Sequence, residues 1–324
     1  MDGSTNQPDT DLVYGLFEGV YKPLILRMAI QLDIFSALAA RPLSAEAVAR
    51  VINCHPYGTR ALLDYLCSLQ IIECQADLYS LTATAHTFFV RGRKSYVGDL
   101  ILQNTGPVMF DLVLQTLHSG INAPLLEYFD QDAWLESYRT RRIQSSLILW
   151  ELAGISADTD RDLRILDIAC GCAIKSLVLA QKSSRVHITC LDAPDVLVVA
   201  RDLAERMGVL PQVSFVPADL HKADLGEAQY DAVLTGQITH YLSEAENINL
   251  FQRIYQTLAA DGVFVIDCPM ASDNPTESAS FLTLMLWANS GGTAYSFETY
   301  QEWLIKVGFQ GVKRLGERWL SARC

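Results

Sequence analysis

The sequence predicts an α/β protein whose second half is a doubly wound parallel sheet, preceded by a smaller, mostly α-helical winged-helix module. Three observations predict it. From Leu163 onward, short β-branched apolar runs alternate with segments of helical period, the mark of parallel strands joined by crossover helices. Before residue 96, helical segments are followed by two short strands about a tight turn, the order of a winged helix. Finally, 324 residues leave room for two cores, since single cores rarely grow past roughly 250 residues.

Composition narrows the function. Hydrophobic residues make up 50% of the chain and charged residues 19%, enough apolar material for packed cores and too little charge for a disordered chain. A net charge of −12 opposes nucleic-acid binding unless the basic residues gather on one face. The start, Met1 to Pro8, is polar and slightly acidic, unlike a secretory or transit signal. The most apolar early stretch, Leu24 to Ala40, is broken by Arg27, Gln31 and Asp33 before the ~20 residues a bilayer span needs. A cytoplasmic protein with no membrane partner is expected. The eight cysteines lack the spacing of a disulfide framework and are expected as reduced thiols.

In order, residues 1–10 read as a tail and 11–95 as the winged-helix module. Leu24, Met28, Leu32 and Phe35 form one helical stripe within Leu12 to Leu38. Ser44 is placed to cap a helix running to Val51. A further helix, Tyr57 to Leu69, buries Leu62, Leu63, Leu66 and Leu69, and Ile71 to Leu81 forms two strands around Ala76-Asp77. The slot of a recognition helix holds Arg60 as its only basic residue, against Asp64, so dimerisation or substrate covering is favoured over DNA binding. Residues 96–154 continue as a helical connector with breaks at Gly106-Pro107 and Ala123-Pro124. Residues 155–324 hold the sheet: strands at Leu163–Ile168, Val186–Leu191, Val213–Val216, Tyr230–Thr235 and Gly262–Asp267, with helices at Ala173–Gln181, Pro194–Met207 and Ser243–Leu258.

A sheet of this kind binds its ligand beyond the carboxyl ends of the strands. The turn Asp167 to Ala173 keeps a single glycine, Gly171, in place of G-x-G-x-x-G or a Walker motif, which disfavours NAD and ATP. An adenosyl ligand without a pyrophosphate demands less of that turn. Asp192, 25 positions after Asp167 and at the next strand end, offers two acceptor oxygens to a ribose, and Asp219 could receive an adenine amino group.

On these residues the sequence resembles the class I S-adenosylmethionine-dependent methyltransferases, and more narrowly the small-molecule O-methyltransferases of the caffeic-acid and hydroxyindole type. The resemblance spans nearly the whole chain. It is carried by Leu166 to Gly171, Leu191-Asp192, Ala218-Asp219-Leu220, His240 to Glu244, Leu258 to Gly262, Gly291-Gly292 and Val307-Gly308-Phe309. It implies a Rossmann-like catalytic domain closed by two antiparallel strands, Gly311 to Leu315 and Arg318 to Ala322, and a homodimer through the N-terminal module. It also implies S-adenosylmethionine as cofactor, S-adenosylhomocysteine as product, and no metal. The cofactor set is then Asp167, Ala169, Gly171, Asp192, Ala193, Asp219, Leu220 and Gly236. His240 falls where the family keeps its general base, and Asp267 at an acidic position that orients it.

Chemistry supports those roles. An imidazole with an ordinary pKa near 6.5 can take the proton of a phenol or enol as its oxygen captures a methyl group, and alignment of the reacting atoms does the rest. The small-molecule acceptor, an aromatic or polyketide-like metabolite, is expected among Met109, Phe110, Trp134, Met285, Trp287, Asn289 and Tyr295. Two departures keep a second reading open, a cofactor-retaining enzyme that cyclises, dehydrates or hydroxylates its substrate. Alanine stands at 169 and 173 where the family has glycine, and Ala294 replaces a second acid. C- or N-methylation and a DNA-binding ligand sensor rank below both.

Overall fold

The computed structural model describes residues 14–122 apart from 17 and 94, and residues 145–271 and 277–324. The described chain divides into two compact units, one running through Phe110 and the other beginning at Asp111, so the division falls inside the helix Pro107–Ser119.

In the first unit, α1 (Tyr21–Gln31) and α2 (Ile34–Leu38) replace the single long helix expected there. Asp33 adopts φ 55°, in the left-handed region that ends α-helical hydrogen bonding, and this turns Ile34, Phe35 and Leu38 into the core. The remaining elements follow the sequence pattern. Ser44 caps α3 (Ala45–Val51) by accepting from Ala47 N, and Pro56 opens α4 (Pro56–Ser68). β1 (Ile72–Gln75) and β2 (Leu78–Leu81) pair antiparallel around Ala76 and Asp77, both at positive φ as a two-residue hairpin of this hand requires. α5 (Ala83–Phe88) and α6 (Gly98–Asn104) follow, and α7 (Pro107–Ser119) is the helix that the division crosses. Ile30, Phe35, Val48, Leu63, Leu66, Ile72 and Tyr79 form the core. Arg60 pairs with Glu46 and Asp77, so its guanidinium is engaged by two carboxylates of its own module.

The second unit holds a seven-stranded sheet among the described residues. Its strands are β3 (Leu163–Ile168), β4 (Val186–Asp192), β5 (Val213–Pro217), β6 (Tyr230–Gly236), β7 (Leu258–Asp267), β8 (Gln310–Arg314) and β9 (Trp319–Arg323), in the order β5-β4-β3-β6-β7-β9-β8. The first five run parallel, while β9 pairs antiparallel with β7 and with β8. The sheet is therefore mixed at one edge, as the closing strands implied. The helices are α8 (Ile174–Ala180), α9 (Pro194–Arg206), α10 (Glu244–Thr257), α11 (Glu277–Ser290) and α12 (Phe297–Val307), with a further helical stretch over 145–152. Central strands buried on both faces read as continuous apolar runs, as Ala232-Val233-Leu234 and Val263 to Ile266 do. α10 and α12 cover one face, packing Phe251, Ile254, Tyr300, Trp303 and Leu304 with Phe264 and Phe309. Ser243 and Glu246 form a reciprocal capping box at the start of α10, which fixes where the loop carrying His240 ends.

Among the described residues, no helix is long and apolar enough to cross a membrane.

Candidate active site

The order β5-β4-β3-β6-β7 reverses direction between β3 and β6, and a ligand crevice opens at such a switch point beyond the strand ends. Of the predicted cofactor residues, Ala169, Gly171, Asp192 and Ala193 meet around the turn after β3, and Gly236 stands at the tip of the neighbouring β6. The turn after β3 puts Ala169 (φ 53°), Gly171 (φ 57°) and Ala173 (φ 55°) in the left-handed region, so alanine occupies two positions that favour glycine. Gly171 N–H donates to Asp192 Oδ2 (2.9 Å) and Ala193 N–H to Asp192 Oδ1 (2.8 Å), which aims the carboxylate from the tip of β4 across the turn. Above Gly171 the space is open: a Cβ built there would meet nothing within 4 Å. Burial raises the Asp192 carboxyl above the usual range, against those two amides that lower it.

Asp167 lies below the turn rather than at its surface. It is buried, its Oδ2 accepts from Ser176 Oγ (2.5 Å), and desolvation pushes its carboxyl up to about 7. That hydrogen bond ties α8 to the end of β3. Asp219, beyond β5, is more exposed: its Oδ1 accepts from His221 N–H (2.9 Å) and its Oδ2 faces Lys222 Nζ at 3.4 Å. The Leu220 carbonyl accepts from Arg253 Nη1 (2.8 Å), which ties this loop to α10.

Gly236, at the tip of β6, lies beneath Lys175. A Cβ at Gly236 would stand 2.6 Å from Lys175 Nζ, so the lysine head group lies directly over the glycine. Lys175 comes from the first turn of α8, and its Nζ meets Asp267 Oδ2 at 2.8 Å with both side chains buried. Asp267 Oδ1 faces Arg318 Nε (3.5 Å) and Gln237 Nε2 (3.4 Å).

His240 is 1% exposed, in a short turn between β6 and α10. Its Nδ1 contacts Cys268 Sγ at 3.0 Å, and no hydrogen-bond partner among the described residues reaches its buried Nε2. Tyr241 packs beside the ring with centroids 4.1 Å apart. Burial, then Arg318, pull the imidazole down to about 4, against the attraction of Asp267. The sequence places Asp267 as the partner that orients this ring. In the structure Asp267 instead carries a lysine and an arginine, and the atom against Nδ1 is the sulfur of the next residue.

Lys175, Gln237, Cys268 and Arg318 are the residues sequence reasoning missed. Lys175 had a signal: a lone charge in the apolar run Ile174 to Ala180 must find a buried partner. Of the expected acceptor residues, Met285 and Trp287 are half-buried on α11, and Trp287 O accepts from Asn122 Nδ2 (2.6 Å). Tyr295 donates to Leu242 O (2.8 Å) and packs on Trp303, which anchors the segment following α11. Phe110 is exposed and belongs to the first unit. Trp134 and the side chains of Met109 and Asn289 lie outside the described residues.

Comparison with known proteins agrees with this geometry. A model of the O-methyltransferase dimerisation domain matches residues 14–91, and a methyltransferase-domain model matches 165–262, together more than half of the chain. The chain is 22% identical to 3-hydroxy-5-methyl-1-naphthoate 3-O-methyltransferase of Streptomyces sahachiroi, covering 93% of this chain and 90% of that one. It is 26% identical to the tetracenomycin polyketide synthesis 8-O-methyl transferase TcmO of Streptomyces glaucescens, over 90% and 89% of the two chains. In fold it is similar to human N-acetylserotonin methyltransferase solved with S-adenosylmethionine, with TM-score 0.78, 18% identity, and 100% and 99% of the chains covered. The chain belongs to the S-adenosylmethionine-dependent O-methyltransferase family, with an N-terminal dimerisation domain ahead of a class I methyltransferase domain.

Proposed function

We propose that this protein transfers a methyl group from S-adenosylmethionine to a hydroxyl of a small aromatic or polyketide-like metabolite, with His240 as general base, and works as a homodimer through its N-terminal domain. The observation that carries the reading is His240 Nε2, a buried ring nitrogen without a hydrogen-bond partner among the described residues, at the switch-point end of the sheet. A buried polar atom left unpaired costs about 1 to 3 kcal/mol, so a ligand group is the natural partner for it.

The crevice fits the cofactor on its adenosine side. Asp192 keeps lone pairs for two ribose hydroxyls beyond those given to Gly171 and Ala193, and the space over Gly171 admits a ligand. Asp219 and Leu220 are the candidate neighbours of the adenine, and Ala169 and Gly236 lie along the way to the strand tips of β6 and β7. When bound, the cofactor supplies an electrophilic methyl on a sulfonium. The protein's own residues do the remaining work: His240 accepts the acceptor's proton at Nε2, and the buried surroundings of the ring keep water from it.

The relatives point to acceptors of this class. Two of those named above are O-methyltransferases of a naphthoate and of a polyketide product. The test is incubation with S-adenosylmethionine and a panel of phenols, naphthols and enols, read by mass spectrometry. A product heavier by one methyl group supports the reading. Conversion of an acceptor without methylation, in the presence of bound cofactor, would replace it with the cofactor-retaining alternative.

A further inference from the structure

Resting on the methyl-transfer reading, we propose that Cys268, rather than Asp267, is the positioning residue of the His240 ring, and that this pairing matches the site to acidic hydroxyls such as phenols conjugated to a carbonyl. Asp267 follows Ile266 at the end of β7 and faces Lys175 (2.8 Å), Arg318 (3.5 Å) and Gln237 (3.4 Å). Cys268, one residue on, points to the other side of the extended chain, where His240, Thr239 and Tyr300 converge.

The side chains of Tyr300, Cys268 and Thr239 gather there. Tyr300 O–H donates to Cys268 Sγ (3.6 Å); with that proton committed, the Thr239 hydroxyl donates to Tyr300 Oη (2.8 Å), which leaves Thr239 Oγ1 with lone pairs able to accept from the thiol. Thr239 is fixed from behind by Asn247 Nδ2, which donates to its carbonyl (2.9 Å). A thiol proton turned to that acceptor leaves the sulfur a lone pair for the imidazole Nδ1 at 3.0 Å. In the proposed pairing the ring proton sits on Nδ1 and Nε2 is left bare, which is the tautomer a base needs.

A thiol partner differs from a carboxylate in one respect that matters here. A carboxylate stabilises the imidazolium that forms when the base takes a proton, whereas a neutral sulfur is a weak acceptor. The other groups facing the ring do not make up the difference. Arg318 opposes protonation and outweighs the opposite pull of Asp267, and the aromatic ring beside the imidazole is that of Tyr241. Burial lowers the ring to about 4 in the same direction. Such a base is mismatched to a water-like hydroxyl with pKa about 16 and closer to a phenol at about 10, and closer still once a carbonyl in conjugation acidifies it. In the step, the acceptor O–H bond breaks with its proton passing to Nε2, the acceptor oxygen bonds the methyl carbon, and the electron pair of the broken carbon–sulfur bond stays on sulfur.

The test is nitrogen-15 NMR of histidine-labelled protein without acceptor, with the His240 signal assigned by His240→Asn. The parent is expected to show the proton on Nδ1 and a neutral ring down to about pH 5. Cys268→Ala should mix the two tautomers and lower kcat about tenfold with KM unchanged, and Cys268→Ser, which keeps an acceptor and a donor in place, should restore both. The double variant Lys175→Met with Asp267→Asn should keep the parent tautomer. An unchanged tautomer in Cys268→Ala, or a lost one in the double variant, would overturn the assignment. Parent kcat/KM for a carbonyl-conjugated phenol should exceed that for an aliphatic alcohol at least a thousandfold, and equal values would overturn the substrate class. The tautomer is read without turnover, so it decides this inference even if no acceptor is methylated, the result that would count against methyl transfer itself.

Discussion

Lys175 Nζ lies 2.8 Å from Asp267 Oδ2 across the ends of the central strands, and both side chains are buried. The pair joins the helix after β3 to the end of β7 and fills the space left by Gly236. Removing one partner of a buried pair strands the other charge, whereas removing both leaves only polar and packing differences. Lys175→Met is therefore expected to destabilise the protein by about 3 kcal/mol, softened by Arg318 and Gln237 on the same carboxylate, and Lys175→Met with Asp267→Asn by about 1 kcal/mol. Urea unfolding midpoints check this, and equal losses in the two variants would contradict it.

The turn after β3 stores backbone strain at two alanines. A left-handed L-residue costs about 1 to 2 kcal/mol, and glycine relieves this while adding about 0.4 to 1 kcal/mol of unfolded-state entropy. Ala173→Gly is expected to raise stability by about 0.5 kcal/mol, read as a small rise in the thermal midpoint. A lower midpoint would show that the Ala173 methyl contributes more through packing than the strain removes.

Asp192 is the best-placed cofactor ligand. Asp192→Ala removes two prospective charge-assisted hydrogen bonds of roughly 1.5 kcal/mol each and frees the Gly171 and Ala193 amides. Calorimetry should show S-adenosylmethionine and S-adenosylhomocysteine binding weakened together by about 100-fold. A loss confined to one of the two ligands would place the carboxylate away from their common ribose.

Two buried groups make stability depend on pH in opposite directions. The Asp167 carboxyl is raised to about 7, so between its ordinary value near 3.8 and pH 7 the folded chain binds more protons than the unfolded one and stability falls as pH rises. His240 is lowered to about 4, so between pH 6.5 and 4 the unfolded chain binds more protons and stability falls as pH drops. Asp167→Asn removes only the first effect. Its stability relative to the parent should increase from pH 4.5 to 7.5 by up to about 3 kcal/mol. Denaturant titrations at the two values measure it, and a difference constant with pH would place Asp167 in a solvated, ordinary state.

The architecture was legible because it rests on periodicity. Apolar runs such as Val263 to Ile266 and the stripe of α10 fix strands and helices by themselves, and the caps at Ser44 and Ser243 mark where helices start. The break at Asp33 was not legible, since a left-handed residue there follows from how α1 and α2 pack and not from a glycine. The strand-end aspartates were legible by position, but the partners of Asp167 and Asp267 within the fold were not. Asp167 accepts from Ser176 and Asp267 faces Lys175, contacts that depend on side chains from distant elements. The contact between His240 and Cys268 joins residues 28 positions apart, and nothing local in either segment announces it.

The central claim is that His240 draws the proton from a hydroxyl that receives the cofactor's methyl group. Its most direct measurement follows the label from methyl-labelled S-adenosylmethionine into a phenolic acceptor, with S-adenosylhomocysteine counted alongside, for the parent and for His240→Ala. The account predicts labelled O-methyl product and S-adenosylhomocysteine in equal amounts, and a loss of roughly 10²- to 10⁴-fold in turnover in the variant at nearly unchanged cofactor affinity. Equal turnover by parent and variant would contradict it.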